Sequence, residues 1–135
     1  MNGNEIDIEK LMNHWIESSD DDFKTMMDLF NTKHFHWALF MGHLVIEKLS
    51  KAVYIVKVNK YPPLIHDLRR ILEKADISLT KEQSKTLDSI SRFNIDARYD
   101  DYKRHFYELC TKDFTELWIE EIKGIRLWIK NMLLK

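Results

Sequence analysis

Between Phe35 and Val58 the chain carries apolar side chains on nearly every side of a helix: Trp37, Ala38, Met41, Leu44, Val45, Leu49, Ala52, Val53, Ile55 and Val56. At about 100° per residue, the polar positions His36, His43, Glu47, Ser50, Lys51, Tyr54 and Lys57 collapse onto one narrow stripe. A helix this apolar needs neighbours on several sides, so it is expected at the centre of a bundle or shared with a second subunit. The segment after it, Asn59-Lys60-Tyr61-Pro62-Pro63, holds both prolines of the chain. It must end the helix, because proline lacks the N–H and its ring clashes with the preceding turn. The polar stripe is expected to face solvent or the region around Arg98, with Glu47 holding Lys51 one turn on.

The rest of the sequence supplies the neighbours. Ile8, Leu11, Met12, Trp15, Ile16, Phe23, Met26, Met27 and Phe30 keep a helical spacing without losing phase, which predicts one helix from about Asp7 to Asn31. Ser19 followed by Asp20, Asp21 and Asp22 could mark a break with Ser19 as a new N-cap, but the unbroken phase favours continuity. Leu68, Ile71, Leu72 and Ala75 predict a short third helix, and His66 before Asp67 is expected to cap it or pack under the proline turn. Thr80-Lys81-Glu82-Gln83 has the form of a capping box opening a fourth helix, from about Lys81 to Phe93. Thr111 can cap a last helix from about Lys112 to Leu133, with Phe114, Trp118, Ile122, Ile125, Trp128, Ile129 and Met132 inward. Between these two, residues 94–105 are polar and Tyr-rich with no clean period, which predicts an irregular connection. The expected fold is all-α: an up-and-down antiparallel bundle of four long helices plus one short one, forming one domain over residues 1–135.

Composition agrees and narrows the function. Three Gly and two Pro in 135 residues are too few turn formers for a many-stranded sandwich or barrel. Lys and Arg number 21 against 22 Asp and Glu, which excludes binding nucleic acid by bulk positive charge; any such contact must be local. The lone Cys110 has no intrachain disulfide partner and no base beside it, so a buried thiol is expected rather than a nucleophile. The start MNGNEIDIEK lacks the basic-then-apolar pattern of a leader, and no apolar run approaches the roughly 18 residues of a membrane span. A cytoplasmic protein, with no membrane contact, is the expectation.

One local cluster stands out. Arg98, Lys103 and Arg104 interleave with Tyr99, Tyr102, Phe106 and Tyr107, the composition that lets bases stack on rings while phosphates meet cations. Asp96, Asp100, Asp101 and Glu108 dilute it. A metal site on His36, His43 and Glu47 competes with this cluster; the chain lacks the Glu-x-x-His pairs of di-metal bundles, and neither metal nor cofactor is expected. Lys48 falls on the apolar side of its helix and must snorkel to the edge or pair with an acid across an interface.

Several segments, taken in order, resemble the HEPN family of small helical domains. Trp15 ahead of Ser19-Asp20-Asp21-Asp22-Phe23 resembles the family's first helix, and Glu47-Lys48-Leu49-Ser50-Lys51-Ala52 resembles its second. Pro62-Pro63-Leu64-Ile65-His66-Asp67-Leu68 resembles its proline turn and third-helix entry, and Ala97-Arg98-Tyr99 the Ala-Arg-Tyr after the fourth. The resemblance implies a homodimer, an RNA or nucleotide ligand, and a nucleotidyltransferase partner of the toxin–antitoxin kind. It also implies a site: active members cleave RNA without metal using an Arg, four to six residues, then a His, and six residues lie between Arg98 and His105. Arg98 would stabilise charge on the phosphorane-like transition state and His105 would exchange a proton. Tyr99, Tyr102, Lys103 and Arg104 would bind the nucleotide or RNA. Tyr99 departs from the small polar residue that usually follows the Arg. Two other readings stay open: Arg98 pairs with Asp96, Asp100 or Asp101 with His105 merely on the surface, or the chain is a non-catalytic module that binds the transferase through a helical face.

Overall fold

A computed structural model describes residues 7–134; the first six residues, part of the chain start read as lacking a leader, and the last residue lie outside it. The described residues form six helices and no strand: α1 (Ile8–Asn31), α2 (Phe35–Val58), α3 (Leu68–Lys74), α4 (Lys81–Asp96), α5 (Asp100–Leu109) and α6 (Lys112–Leu133). The architecture is the expected all-α bundle, with α2 at its centre, packed on α1 most extensively and also on α3, α4, α5 and α6. Leu39, Val45, Ile46, Leu49, Ala52, Val53 and Ile55 of α2 are buried. Gly42 lets α6 approach closely, since a Cβ there would run into Ile122 and Met26.

α1 continues through its acidic middle: Ser18, Ser19, Asp20 and Asp22 each have a partner on another helix, while Asp21 is exposed. Ser19, fully buried, donates to the Val45 carbonyl at 2.8 Å. Lys48 resolves its awkward position by reaching α1, where its ammonium donates to Ser18 Oγ at 2.7 Å and pairs with Asp22 at 2.6 Å. Asp20 accepts from Arg126 at 3.1 Å and Lys130 at 2.7 Å, tying α1 to α6. Partial burial works to raise the Asp20 pKa, but the hydrogen bonds and charges of Lys130 and Arg126 outweigh it and lower the pKa.

Three tight reversals use non-glycine residues in the left-handed region: Lys33, Asn59 and Asp76. After α1, His34 N–H donates to Leu29 O and Lys33 N–H to Phe30 O, the paired bonds of a Schellman cap with Lys33 at its left-handed position. Asp76 does the same after α3 through Ile77 N–H to Leu72 O and Asp76 N–H to Glu73 O. The capping box at Thr80 and Gln83 is present, and Thr111 caps α6.

Two expectations need correction. Most of the polar stripe of α2 does not face solvent: His36, His43, Glu47, Ser50 and Lys51 are buried, Tyr54 is half-buried and Lys57 alone of the stripe is exposed. The chain after the prolines folds back over it, and His66 seals it. His43 Nε2 donates to the His66 carbonyl at 3.0 Å, Glu47 meets His66 Nδ1 at 2.8 Å, and Lys51 donates to Glu47 at 3.2 Å and lies 5.5 Å from the Trp15 ring. Asp67, not His66, caps α3, accepting from Arg70 N–H. The second correction concerns residues 94–105, which are not one irregular connection. α4 runs on to Asp96 and a sixth helix, α5, begins at Asp100. Only Phe106 of α5 is buried, so one inward side chain anchors it against Phe93 and leaves little periodicity to read.

Candidate nucleic-acid interface

The turn between α4 and α5 brings part of the predicted cluster beside the N-terminal half of α2. Phe106 points inward, and at about 100° per residue Lys103 and Tyr107 fall on one flank of α5 while Tyr102 and His105 fall on the other. The contacts agree. Lys103 Nζ lies 5.1 Å from the Trp37 ring, and Tyr107 meets the His36 ring edge-on with centroids 5.1 Å apart. On the far flank Tyr102 lies under Arg92 of α4, 5.0 Å from its guanidinium carbon.

Arg98 belongs to the α2 flank. Its Nε donates to the Asn94 carbonyl at 3.0 Å, and its guanidinium carbon lies 5.7 Å from both the Phe40 and Tyr99 rings. Of the three acids expected as alternative partners, none bonds it; Asp96 pairs with Arg92 instead at 3.1 Å. A carbonyl bond leaves the positive charge of Arg98 uncompensated, so it remains available to an anion. His105 is exposed and shares no hydrogen-bond partner with Arg98 among the described residues. Arg104 is exposed and pairs with Glu108 one turn on at 3.3 Å. Tyr99, Tyr102 and Tyr107 all expose their rings, the last by 61%.

The result is a row of cations, Arg98, Lys103 and Arg104, alternating with the rings of Tyr99, Phe40, Trp37 and Tyr107. Between α5 and the start of α2 it opens a cleft of about 470 Å³ lined by His36, Asp100, Lys103, Arg104 and Tyr107. His36 and Tyr107 also wall a smaller adjoining lobe of about 290 Å³ that reaches Lys33, Phe35 and the α5–α6 junction at Cys110 and Thr111. Burial foremost, then the charges of Lys103 and His34, lowers the His36 pKa, so its ring is neutral near pH 7. Reasoning from sequence placed His36 in a metal-ligand or solvent seam and missed this role. The signal lies in the missing cap: His34 precedes α2 with no acid in the first turn.

The other sequence candidates separate from this face. His43 and Glu47 are engaged by His66 and Lys51, and no cluster of three metal-ligating side chains occurs among the described residues. Burial above all raises the Cys110 pKa to about 12, with the Asp96 charge adding to it and the Thr115 hydroxyl opposing it. Such a thiol is a poor nucleophile. No helix among the described residues is long and apolar enough to cross a membrane.

Comparison with known proteins bears on the family and the fold. The family described as "HEPN domain" matches residues 12–132. Among solved structures, TT1696 from Thermus thermophilus superposes with a TM-score of 0.74 at 15% identity, covering 89% of this chain and 96% of that one. At that identity the likeness speaks for the fold alone. No curated protein matches the sequence.

Proposed function

Because the chain belongs to the HEPN-domain family, we propose that it is an RNA- or nucleotide-interacting component of a nucleotidyltransferase-linked, toxin–antitoxin-like system, working as a homodimer. The observation that carries the proposal is the row of cations and rings along α5 and the start of α2, with Tyr99 and Tyr107 exposed and Trp37 and Phe40 half-buried. Rings offer stacking surfaces to any base, and the cations between them neutralise the phosphates that follow. The near-zero net charge of the whole chain makes this face, rather than the molecule at large, the place of contact.

Cleavage is a second reading, favoured by the uncompensated charge of Arg98 and by the Arg98-x6-His105 spacing. In it, a base removes the proton of a ribose 2′-hydroxyl, whose oxygen attacks the adjacent phosphorus. The bond to the 5′-oxygen breaks, that oxygen takes up a proton, and a 2′,3′-cyclic phosphate remains. His105 moves the proton and Arg98 faces the extra negative charge. As Arg98 lies in the α4–α5 turn on the α2 side and His105 on the opposite flank of α5, the composite site would combine Arg98 of one subunit with His105 of the other.

Binding of a fluorescent single-stranded oligoribonucleotide tests the first reading. Affinity should fall steeply with salt and drop in Arg98→Ala and Lys103→Gln. Equal binding by wild type and both variants, or none by any, overturns it and leaves the alternative of a non-catalytic module that docks a nucleotidyltransferase. Incubating the same RNA with excess chelator tests cleavage: loss of product in both Arg98→Ala and His105→Ala supports it, and retention in either removes that residue from the chemistry.

A further inference from the structure

We infer that the cleft between α5 and the start of α2 holds a terminal phosphate, the phosphomonoester of a nucleotide or of an RNA end, on the N-terminus of α2. The phosphate class stands on the geometry of the cleft; its nucleotide carrier rests on the reading of the function given above.

The first turn of α2 is open. An N-cap side chain would normally accept one of the free N–H groups at a helix start. Here the N-cap is His34, which makes no capping bond; its Nδ1 instead lies 3.0 Å from Thr32 Oγ1, in the turn it closes. The N–H groups of Phe35, His36 and Trp37 have no acceptor among the described residues. Such an end concentrates partial positive charge and favours an anion.

His36 supplies the second, independent observation. It is only 8% exposed, yet its ring makes no hydrogen bond among the described residues and packs against the rings of Trp37 at 4.8 Å and Tyr107 at 5.1 Å. A buried polar side chain ordinarily finds a partner, and His36 lines both lobes of the cleft. A neutral imidazole there offers one N–H to an anion, and a bound dianion would draw a second proton onto the ring.

The surrounding charges fit. Lys33, Lys103 and Arg104 line the two lobes against Asp100 and Glu108, and Glu108 is already paired to Arg104. The smaller lobe is bounded by the α1–α2 turn, the start of α2 and the α5–α6 junction. A strand end can enter such a lobe more readily than a continuous backbone can cross it. Tyr107 at the rim provides the stacking surface for the attached base.

The test uses the full chain and three probes: inorganic phosphate, and a trinucleotide of one sequence with and without a terminal phosphate. The expected results are shifts of the Phe35, His36 and Trp37 amide resonances with phosphate and a rise in the His36 pKa on binding. The phosphorylated trinucleotide should bind about tenfold tighter than its hydroxyl counterpart. That preference should vanish in His36→Phe, which fills the same space without a donor, and in Lys103→Gln, which removes the charge of a half-buried side chain lining the cleft. Equal binding of the two trinucleotides without amide shifts overturns the phosphate site while the RNA reading stands. Phosphate shifts with no binding of either trinucleotide support the anion site and overturn its nucleotide carrier. No response to any probe overturns both.

Discussion

Replacing Glu47 with Ala should unfold this protein far more readily than any change on its surface. Glu47 and Lys51 are each only 5% exposed, and their 3.2 Å contact is the one hydrogen bond the Lys51 ammonium makes among the described residues. Removing one partner of a buried ion pair strands the other and costs about 3–5 kcal/mol. The Trp15 ring, 5.5 Å from the Lys51 ammonium, offsets about 0.5–1 kcal/mol of this. Roughly 2–4 kcal/mol of lost stability is left. With an unfolding entropy of about 2.1 cal/mol/K per residue, the 135-residue chain should melt about 7–14 °C lower. Urea denaturation followed by circular dichroism, together with a thermal scan, measures both quantities. The companion variant Glu47→Leu/Lys51→Met removes both charges, and an apolar replacement of a buried pair is commonly neutral or stabilising, so it should recover most of the loss. The reasoning is refuted if Glu47→Ala stays within about 0.5 kcal/mol of wild type, or if the double variant is as unstable as the single one.

Two further outcomes follow from titratable groups in the core. Burial holds the His43 pKa below the ordinary histidine range, against the opposing pull of the His66 carbonyl and Glu47, while Arg98 and His66 add repulsion. Its Nδ1 is buried without a partner, so protonation would place an N–H where nothing accepts it. The unfolded chain takes up this proton as pH falls through about 6.5 and the folded chain does not, so stability is complete above that pH and is lost below it, down to the lowered folded pKa. The urea midpoint should therefore fall between about pH 7.5 and 5.5, more steeply in wild type than in His43→Gln; equal slopes would refute the assignment to His43. Cys110, with its pKa raised to about 12, should resist a thiol-disulfide reagent at about pH 8 in the native protein and react stoichiometrically in denaturant. Rapid native labelling would show that the thiol is not shielded.

The long helices were legible because each carries its own evidence. α2 is apolar on nearly every side, α1 keeps phase through its acid run, and Thr80-Lys81-Glu82-Gln83 announces the start of α4. What escaped was decided at a distance. The polar stripe of α2 is buried because His66, on the far side of the proline turn, reaches back to it, and no local pattern reports such a return. α5 escaped because it has a single buried residue and its N-cap, Tyr99, makes no capping bond; Asp100 and Asp101 in its first turn were the available hint. At the candidate interface the sequence shows which residue types lie close together but not their flanks. Phe106 pointing inward sends Lys103 and Tyr107 toward α2 and His105 away from Arg98, and it is this division that makes His36 part of the site.

The ties between α1 and α6 have a consequence for how the molecule is made. Asp20 waits for Arg126 and Lys130, 106 and 110 residues further along the chain. The α1–α2 hairpin closes through a three-residue turn and can form while the chain is still being synthesised, whereas the side of α2 at Gly42 stays bare until Ile122 has emerged. For most of its synthesis, the most apolar helix of the protein therefore shows an open flank to whatever surrounds the ribosome. The last helix completes the bundle, and the nascent chain is most exposed to aggregation just before it arrives.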